Sequence, residues 1–293
     1  MKVFVSNASG FQGGNIAGQL LAKKHTVNTL KRSLNEGVSV MAGVNVFEGG
    51  LDNNKALNDA LKTVDVAVYS FPLIFDIALA KTYTANFIAA AKAQNVALII
   101  YNVGFHLVEE ETNMLAFNLK LDIKKLFDAS GLNVITLSPD IYIDNLAAPW
   151  SIPVILNNNI LPYPVASHTK FPWISHFDLA KYVVAAVSKP ELTGQTLPIG
   201  GNLFTGEAIA EAIATKIKRP VSFVAMTPND FEQQLAPAFG ALAAKEISNL
   251  YRYVDNNKET LTTKDFKKTQ YLLGVEPQSL NAWVDSVNWD VNV

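Results

Sequence analysis

Through the first half of the chain, short apolar runs rich in β-branched residues alternate with longer segments whose apolar positions recur at helical spacing. The pattern predicts strands at 2–6, 26–30, 44–47, 64–70, 97–102 and 133–137, and helices at 13–23, 55–61, 76–93 and 117–129. Ser130-Gly131 marks the end of the last helix, because glycine readily takes the conformation in which helices stop. Alternating strands and helices build βαβ units. The strands are apolar almost without interruption, which suits a parallel sheet covered on both faces.

The texture changes between 147 and 173. Five of the thirteen prolines (149, 153, 162, 164 and 172) and the run Asn157-Asn158-Asn159 fall there, against a continuing helix–strand alternation. A boundary is expected in this stretch, dividing 1–147 from a smaller, mainly C-terminal part at 148–293, with residues near 194–201 returning to complete the first sheet. Beyond it the pattern predicts a helix at 178–187, a strand at 196–199, a helix at 207–216 and a strand at 221–225. The run Lys264-Asp265-Phe266-Lys267-Lys268 could be taken for a basic patch but reads better as a solvated helix face.

Composition narrows the function classes. Hydrophobic residues make up 49% and charged residues 17% of the 293, values of a folded globular chain. Lys and Arg total 24 against 26 Asp and Glu, so no general attraction to nucleic acid or an anionic membrane is expected. The absence of cysteine removes disulfides, thiolate nucleophiles and zinc–thiolate sites, and four scattered histidines give no metal cluster. Met1 to Val5 reads as a strand and not as a signal sequence, and no apolar run reaches the roughly 18 residues of a membrane span, so a cytoplasmic protein is expected.

The candidate chemistry lies at the first strand–helix junction. There Val3-Phe4-Val5 leads into Ser6-Asn7-Ala8-Ser9-Gly10-Phe11-Gln12-Gly13-Gly14, then into a helix whose Ile16, Ala17, Leu20 and Leu21 form an apolar stripe. A pyrophosphate needs free backbone N–H groups at a helix N-terminus and a backbone it can approach closely; Gly10 and Gly13 supply these conditions, with Ser9, Phe11 and Gln12 beside them. Asn7 stands where glycine would open such a turn, and asparagine is among the residues that best tolerate positive φ. The alternative is a turn that is only structural.

The end of the second strand selects the cofactor. An acidic residue there would bind the ribose hydroxyls of NAD, whereas Lys31-Arg32-Ser33 offers two cations and a hydroxyl. This favours NADP(H), with Arg32 making a two-pronged contact to the 2′-phosphate and Lys31 and Ser33 adding charge or a hydrogen bond. Alternatively Lys31 and Arg32 only solvate the turn.

These residues resemble the NmrA-like branch of the atypical short-chain dehydrogenase/reductases over nearly the whole chain. Gly10-Phe11-Gln12-Gly13-Gly14 is similar to that branch's turn, and Arg32 falls on its 2′-phosphate arginine. Gly49-Gly50-Leu51-Asp52 resembles its Gly-Asp-Leu, but Gly50 replaces the Asp, so only Leu51 carries over, as an adenine contact. Ser70-Phe71-Pro72 sits where the family's fourth strand lines the cofactor, and Lys120 matches a lysine near the nicotinamide ribose. Ser130-Gly131-Leu132 followed by Ser138-Pro139 resembles a Ser-Gly-Leu then Arg-Pro segment, with Ser138 in place of Arg and Pro139 as a cofactor contact. Asn145 falls on a family asparagine, Trp173 to Asp178 resembles Trp-Ile-Asp-Val-x-Asp, and Gly274-Val275-Glu276-Pro277 resembles Gly-x-x-Pro. The resemblance implies an α/β fold: a Rossmann-like doubly wound parallel sheet with a smaller, mainly C-terminal α/β substrate subdomain.

It also implies reduction of quinones, azo compounds or related conjugated acceptors with NADPH, or nucleotide binding without turnover in a redox-sensing regulator. A homodimer or a regulatory protein partner remains open beside the small-molecule substrate. Ordinary members of the wider class use a tyrosine whose pKa is lowered by a lysine four residues later. None of the nine tyrosines here has that lysine, Ala116 stands four before Lys120, and Asn102 stands at the expected serine. A Ser-Tyr-Lys alcohol dehydrogenase is therefore not expected. The remaining polar candidates are Lys120, for developing charge or for the ribose; Asn102, for a substrate carbonyl or the strand-end backbone; and His106, as a proton donor or a surface residue. Phe105, Tyr142 and Asn145 are expected at the substrate, and Trp150, Tyr163, Phe171 and Trp173 either wall its pocket or pack the core. Asp178 reads as a helix cap or structural acceptor before a base.

Overall fold

The computed structural model describes residues 1–35 and 39–290. The chain divides into two compact units. The first holds Met1–Pro139, His176–Ile199 and Lys267–Val275; the second holds Asp140–Ser175, Gly200–Phe266 and the chain from Glu276. The proline-rich 147–173 stretch lies wholly in the second.

The first unit is built on seven parallel strands: β1 (Lys2–Val5), β2 (Thr26–Lys31), β3 (Val44–Glu48), β4 (Val66–Tyr69), β5 (Leu98–Asn102), β6 (Val134–Pro139) and β9 (Thr196–Ile199). Their order is β3-β2-β1-β4-β5-β6-β9, so the chain runs outward from β1 and then crosses back to β4 on its other side. That reversal opens a crevice at the carboxyl ends of β1 and β4, where open α/β sheets bind ligands. Every residue of β4, β5 and β6 is buried, as the unbroken apolar runs require, whereas β3 at the edge alternates.

Helices α1 (Phe11–Ala22), α2 (Asn54–Leu61), α3 (Ile77–Ala93), α4 (Leu115–Asp128), α6 (His176–Ala186) and α11 (Lys267–Leu273) cover the sheet. On one side α2 packs on α3 and α3 on α4, over an aromatic cluster in which Tyr69 lies 4.7 Å from Phe87 and 5.2 Å from Phe127. Elsewhere α1 packs on α6. Asn53 and Asp76 cap α2 and α3 by accepting from Ala56 and Leu79 N–H. The strand predicted at 64–70 is shorter at both ends. Thr63 at φ +59° and a Val64 N–H donated to Leu61 finish the turn after α2, and the Ser70 N–H turns to the Ser6 hydroxyl.

The second unit carries α5 (Ile152–Asn158), β7 (Ile160–Tyr163), β8 (Phe171–Pro172), β10 (Leu203–Phe204), α7 (Gly206–Ile217), β11 (Ser222–Ala225), α8 (Pro228–Phe239), α9 (Ala241–Asn256), α10 (Lys258–Thr262) and α12 (Leu280–Ser286). β7 pairs in parallel with β11, and β8 antiparallel with β10. The periodicity did not predict the α8–α9 pair, whose helical pattern is broken by Pro237 and by Gly240 at φ +80°. The 264–268 run is not a solvated helix face as expected. Residues 264–266 are irregular, Phe266 is buried, and the Lys264 ammonium lies 2.6 Å from the wholly buried Asp140 carboxylate, which a charge on a buried acid attracts inward. No helix among the described residues is long and apolar enough to cross a membrane.

Candidate functional site

The turn between β1 and α1 is held from below. The Thr29 hydroxyl donates to the Val5 carbonyl at 2.7 Å and accepts from the Ala8 N–H at 3.4 Å, so β2 fixes the start of the loop. Asn7 takes φ +58°, the left-handed conformation that asparagine tolerates, and its carbonyl accepts from the Gly10 N–H at 2.9 Å. α1 then follows Gly10, its N-cap, with no side-chain cap and no acidic residue in its first turn. Its first N–H groups lack intrahelical acceptors, and they carry the positive end of the helix dipole. Of the two glycines only Gly13 is sterically required: a Cβ there would stand 2.2 Å from the Asn7 carbonyl oxygen, against 3.4 Å at Gly10.

A network ties this turn to β4 and β5. The Ser6 hydroxyl and the Asn7 amide both donate to the Ser70 carbonyl, at 3.0 and 2.9 Å. Asn102, at the end of β5 and buried, donates its amide to Gln12 at 2.9 Å and to the Ser70 hydroxyl at 3.1 Å, while its oxygen accepts from the Gly104 N–H. Both ends of the Asn102 amide are thus committed to protein, which supports the strand-end alternative over a substrate-carbonyl contact.

Above the turn lies a cleft of about 380 Å³. Ser6, Asn7 and Ser9 line it from the β1–α1 turn, and Lys31, Arg32 and Ser33 from the end of β2. Gly49, Gly50 and Leu51 follow β3, and Leu30, Phe4, Pro72 and Tyr83 complete the wall. No carboxylate lines it among the described residues. Arg32 is exposed and makes no hydrogen bond or ion pair among the described residues, so its guanidinium is available to a ligand. The cleft therefore gathers Asn7, Ser9, Lys31, Arg32, Ser33, Leu51 and Pro72 from the predicted set. Gly10, Gln12, Gly13 and Ser70 support it from the turn and β4. Phe71 stands beside Tyr83, ring centroids 6.3 Å apart. Phe11 is not among the residues that line the cleft; it is 62% exposed and stacked on His176 at 6.3 Å. Sequence reasoning did not select Phe4, Ser6, Leu30, Gly49, Gly50 or Tyr83. For Tyr83 the spacing on α3 gave only a border position, three after Ala80, and nothing that placed it at this cleft.

A second group sits past β5 and β6. The Lys120 ammonium lies 5.3 Å from the Phe105 ring centre and 5.2 Å from that of Phe117, with His106 against both rings. No carboxylate pairs with Lys120 among the described residues, and burial pulls its pKa down to about 7. The cation–π contacts return part of the lost hydration. The Ser138 hydroxyl accepts from the Leu107 N–H at 3.0 Å, and Pro139 is buried at the end of β6, in register with Ile199.

This geometry makes a stability prediction. Below about pH 7 Lys120 is charged in both states and the fold bears the full cost of burying it. As pH rises from 7 toward the ordinary 10.5, only the unfolded chain holds the proton and that cost falls, by up to about 1.4 kcal/mol per pH unit. Lys120→Met should thus be more stable than the parent at pH 7, and the difference should shrink by pH 9 in urea-unfolding titrations. A difference independent of pH would refute the shift.

In the second unit Tyr142 is buried, and burial with the nearby Asp144 and Asp140 charges pushes its phenol far above the usual range. Asn145 donates to the Tyr163 hydroxyl at 3.1 Å, and Tyr163 in turn contacts the Tyr251 hydroxyl. Tyr163, Phe171 and Trp173 are buried core aromatics, while Trp150 is 45% exposed against Phe239. Asp178, buried in the first turn of α6, pairs with Lys181 at 2.8 Å. Among the described residues no three His, Asp or Glu side chains are placed to hold a metal ion.

A seven-stranded parallel sheet with flanking helices and a cleft at its topological switch point defines a Rossmann-like α/β fold. The model of the NmrA-like family matches residues 1–283, and the chain belongs to that family. It is 24% identical over 235 residues, 80% of each chain, to an NAD(P)H azoreductase of Xenophilus azovorans. Among solved structures it is similar to the triphenylmethane reductase of Citrobacter sp., at 19% identity and a TM-score of 0.79 over 98% of this chain and 99% of that one. It is also similar to an NADPH-dependent quinone oxidoreductase of Escherichia coli, at 18% identity and a TM-score of 0.72 over 97% and 98%.

Proposed function

We propose that the protein is an NADPH-dependent oxidoreductase that reduces a small conjugated acceptor such as a quinone. One observation carries this: Asn7 and Ser9, on the turn that leads into the uncapped N-terminus of α1, line one cleft with Lys31, Arg32 and Ser33, and no carboxylate lines it among the described residues. The residues fit the cofactor. Gly13 lets the turn pack without side-chain clutter, the α1 N–H groups suit a pyrophosphate, and Arg32 presents the planar fork that a 2′-phosphate accepts. The azo, triphenylmethane and quinone compounds in the relatives' names are all conjugated electron acceptors, and support the same class.

Bound reduced nicotinamide supplies the hydride; the protein supplies position and charge. Asn102, Ser6 and Ser70 hold the turn so that the α1 N–H groups keep their aim. We assign Lys120 to the nicotinamide ribose, as the family resemblance implies, and with a pKa of about 7 its Nζ can also carry a proton near neutrality. No tyrosine has a lysine four residues later, which disfavours alcohols and suits acceptors whose reduced anion is protonated by solvent.

The test is loss of NADPH absorbance with a panel of quinones and azo dyes. Turnover of at least one is expected. Tight NADPH binding with silence across the panel would point instead to a nucleotide-sensing regulator, and absence of binding would overturn the cofactor assignment. Arg32→Ala should weaken NADPH by about 1.5–3 kcal/mol, the scale of a charge-assisted hydrogen bond, and leave NADH nearly unchanged. Equal losses for both would refute the role of Arg32.

A further inference from the structure

The base-binding end of the cleft has a determinant on a helix that the turn and the cationic strand end do not involve. Tyr83 lines the cleft from α3, and Phe4, Leu30, Leu51 and Pro72 line it with their own apolar side chains. Its ring is 6.3 Å from Phe71 at 53°, which gives it a fixed aromatic neighbour, and its hydroxyl has no hydrogen-bond partner among the described residues. Asn86, three residues on and on the same face of α3, donates to the Leu51 carbonyl at 3.1 Å. One helix face thus pins the loop that carries Leu51 and sets an amphipathic ring in the same cleft. A slot lined by apolar side chains and an aromatic ring with an unused phenol, in one cleft with Lys31 and Arg32, fits a planar heterocycle carrying phosphate.

Resting on the NADPH reading above, we propose that Tyr83 is a specificity-determining residue for the adenine half of the nucleotide, its ring walling the base and its hydroxyl bonding a ring nitrogen or the exocyclic amine. Phe71 and the Asn86–Leu51 contact are positioning elements that keep this slot the width of one ring.

The experiment is calorimetric titration of the full chain with NADPH and with adenosine 2′,5′-bisphosphate, which lacks the nicotinamide. Tyr83→Ala should weaken both by roughly tenfold, within the range of a base–aromatic stack removed by alanine. Tyr83→Phe should lose roughly threefold, the share of one neutral hydrogen bond. Reduced nicotinamide mononucleotide, which has no adenine, should bind parent and variants alike; a merely structural role would weaken it too. Should Tyr83→Ala fail to fold, Tyr83→Leu keeps apolar bulk beside Phe71 and removes the flat face, and a fivefold or greater loss of the bisphosphate supports the assignment. Binding within twofold of the parent in the folded variants overturns it. The two failures are separable: no NADPH binding by the parent chain sinks the cofactor reading, whereas an NADPH affinity sensitive to Arg32→Ala but not to Tyr83 variants sinks only this one.

Discussion

Gly13→Ala is expected to abolish NADPH binding and to cost about 3 kcal/mol of folding stability. The added Cβ would stand 2.2 Å from the Asn7 carbonyl oxygen and 2.7 Å from its carbon, so two backbones and not a movable side chain must separate. Alanine gains about 1 kcal/mol over glycine in helix propensity, which is too little to offset that overlap. Any displacement of Asn7 also disturbs its bond to Ser70 and the approach to the helix N-terminus. Gly14→Ala is the internal comparison. Its Cβ would meet the Ala8 carbonyl oxygen at 3.4 Å, an ordinary contact, and the variant should be neutral or slightly stabilised. Urea unfolding and NADPH calorimetry on both variants check this; Gly13→Ala within 0.5 kcal/mol of the parent, roughly the scatter of harmless substitutions, would show that the turn yields easily.

Lys264→Ala is expected to cost about 3–5 kcal/mol, the scale of a buried ion pair broken on one side. Asp140 is fully buried, and burial raises its pKa while the Lys264 ammonium at 2.6 Å opposes that rise. Without the lysine, Asp140 shifts further above its unfolded value of about 3.9. The folded chain then holds a proton that the unfolded chain releases, so the deficit is full above the new folded pKa and fades as pH falls toward 4. Stability measured at pH 8 and pH 4.5 should show the larger loss at pH 8. Adding Asp140→Asn to Lys264→Met should recover much of the loss, because no charge then remains buried; an undiminished loss in the double variant would mean that shape, and not charge, sets the cost.

Two features of the site were legible in one dimension for different reasons. The β1–α1 turn is local, so Asn7, Gly10 and Gly13 lie together in sequence as in space, and the residue with φ +58° is an asparagine. The cationic end is legible because it must follow the second strand. Tyr83 was not, since nothing within α3 says that its face meets the loop after β3, some 30 residues away by sequence. Asn102 was placed at the right strand end but left between two roles. Only the tertiary partners Gln12, Ser70 and Gly104 show that its amide is engaged.

Apolar spacing and glycine placement by themselves determined a parallel α/β sheet with a phosphate-competent first turn, because strand burial and turn geometry are written in neighbouring residues. The lysine at 264 shows the other side. A run of five residues with three lysines looks solvated, and its pairing with Asp140, more than a hundred positions away, depends on where folding brings a buried acid. Tertiary structure alone decided such long-range electrostatic pairs and the place of Tyr83 in the cleft lining, since the free energy of a buried charge or an aromatic face is set by what surrounds it in space.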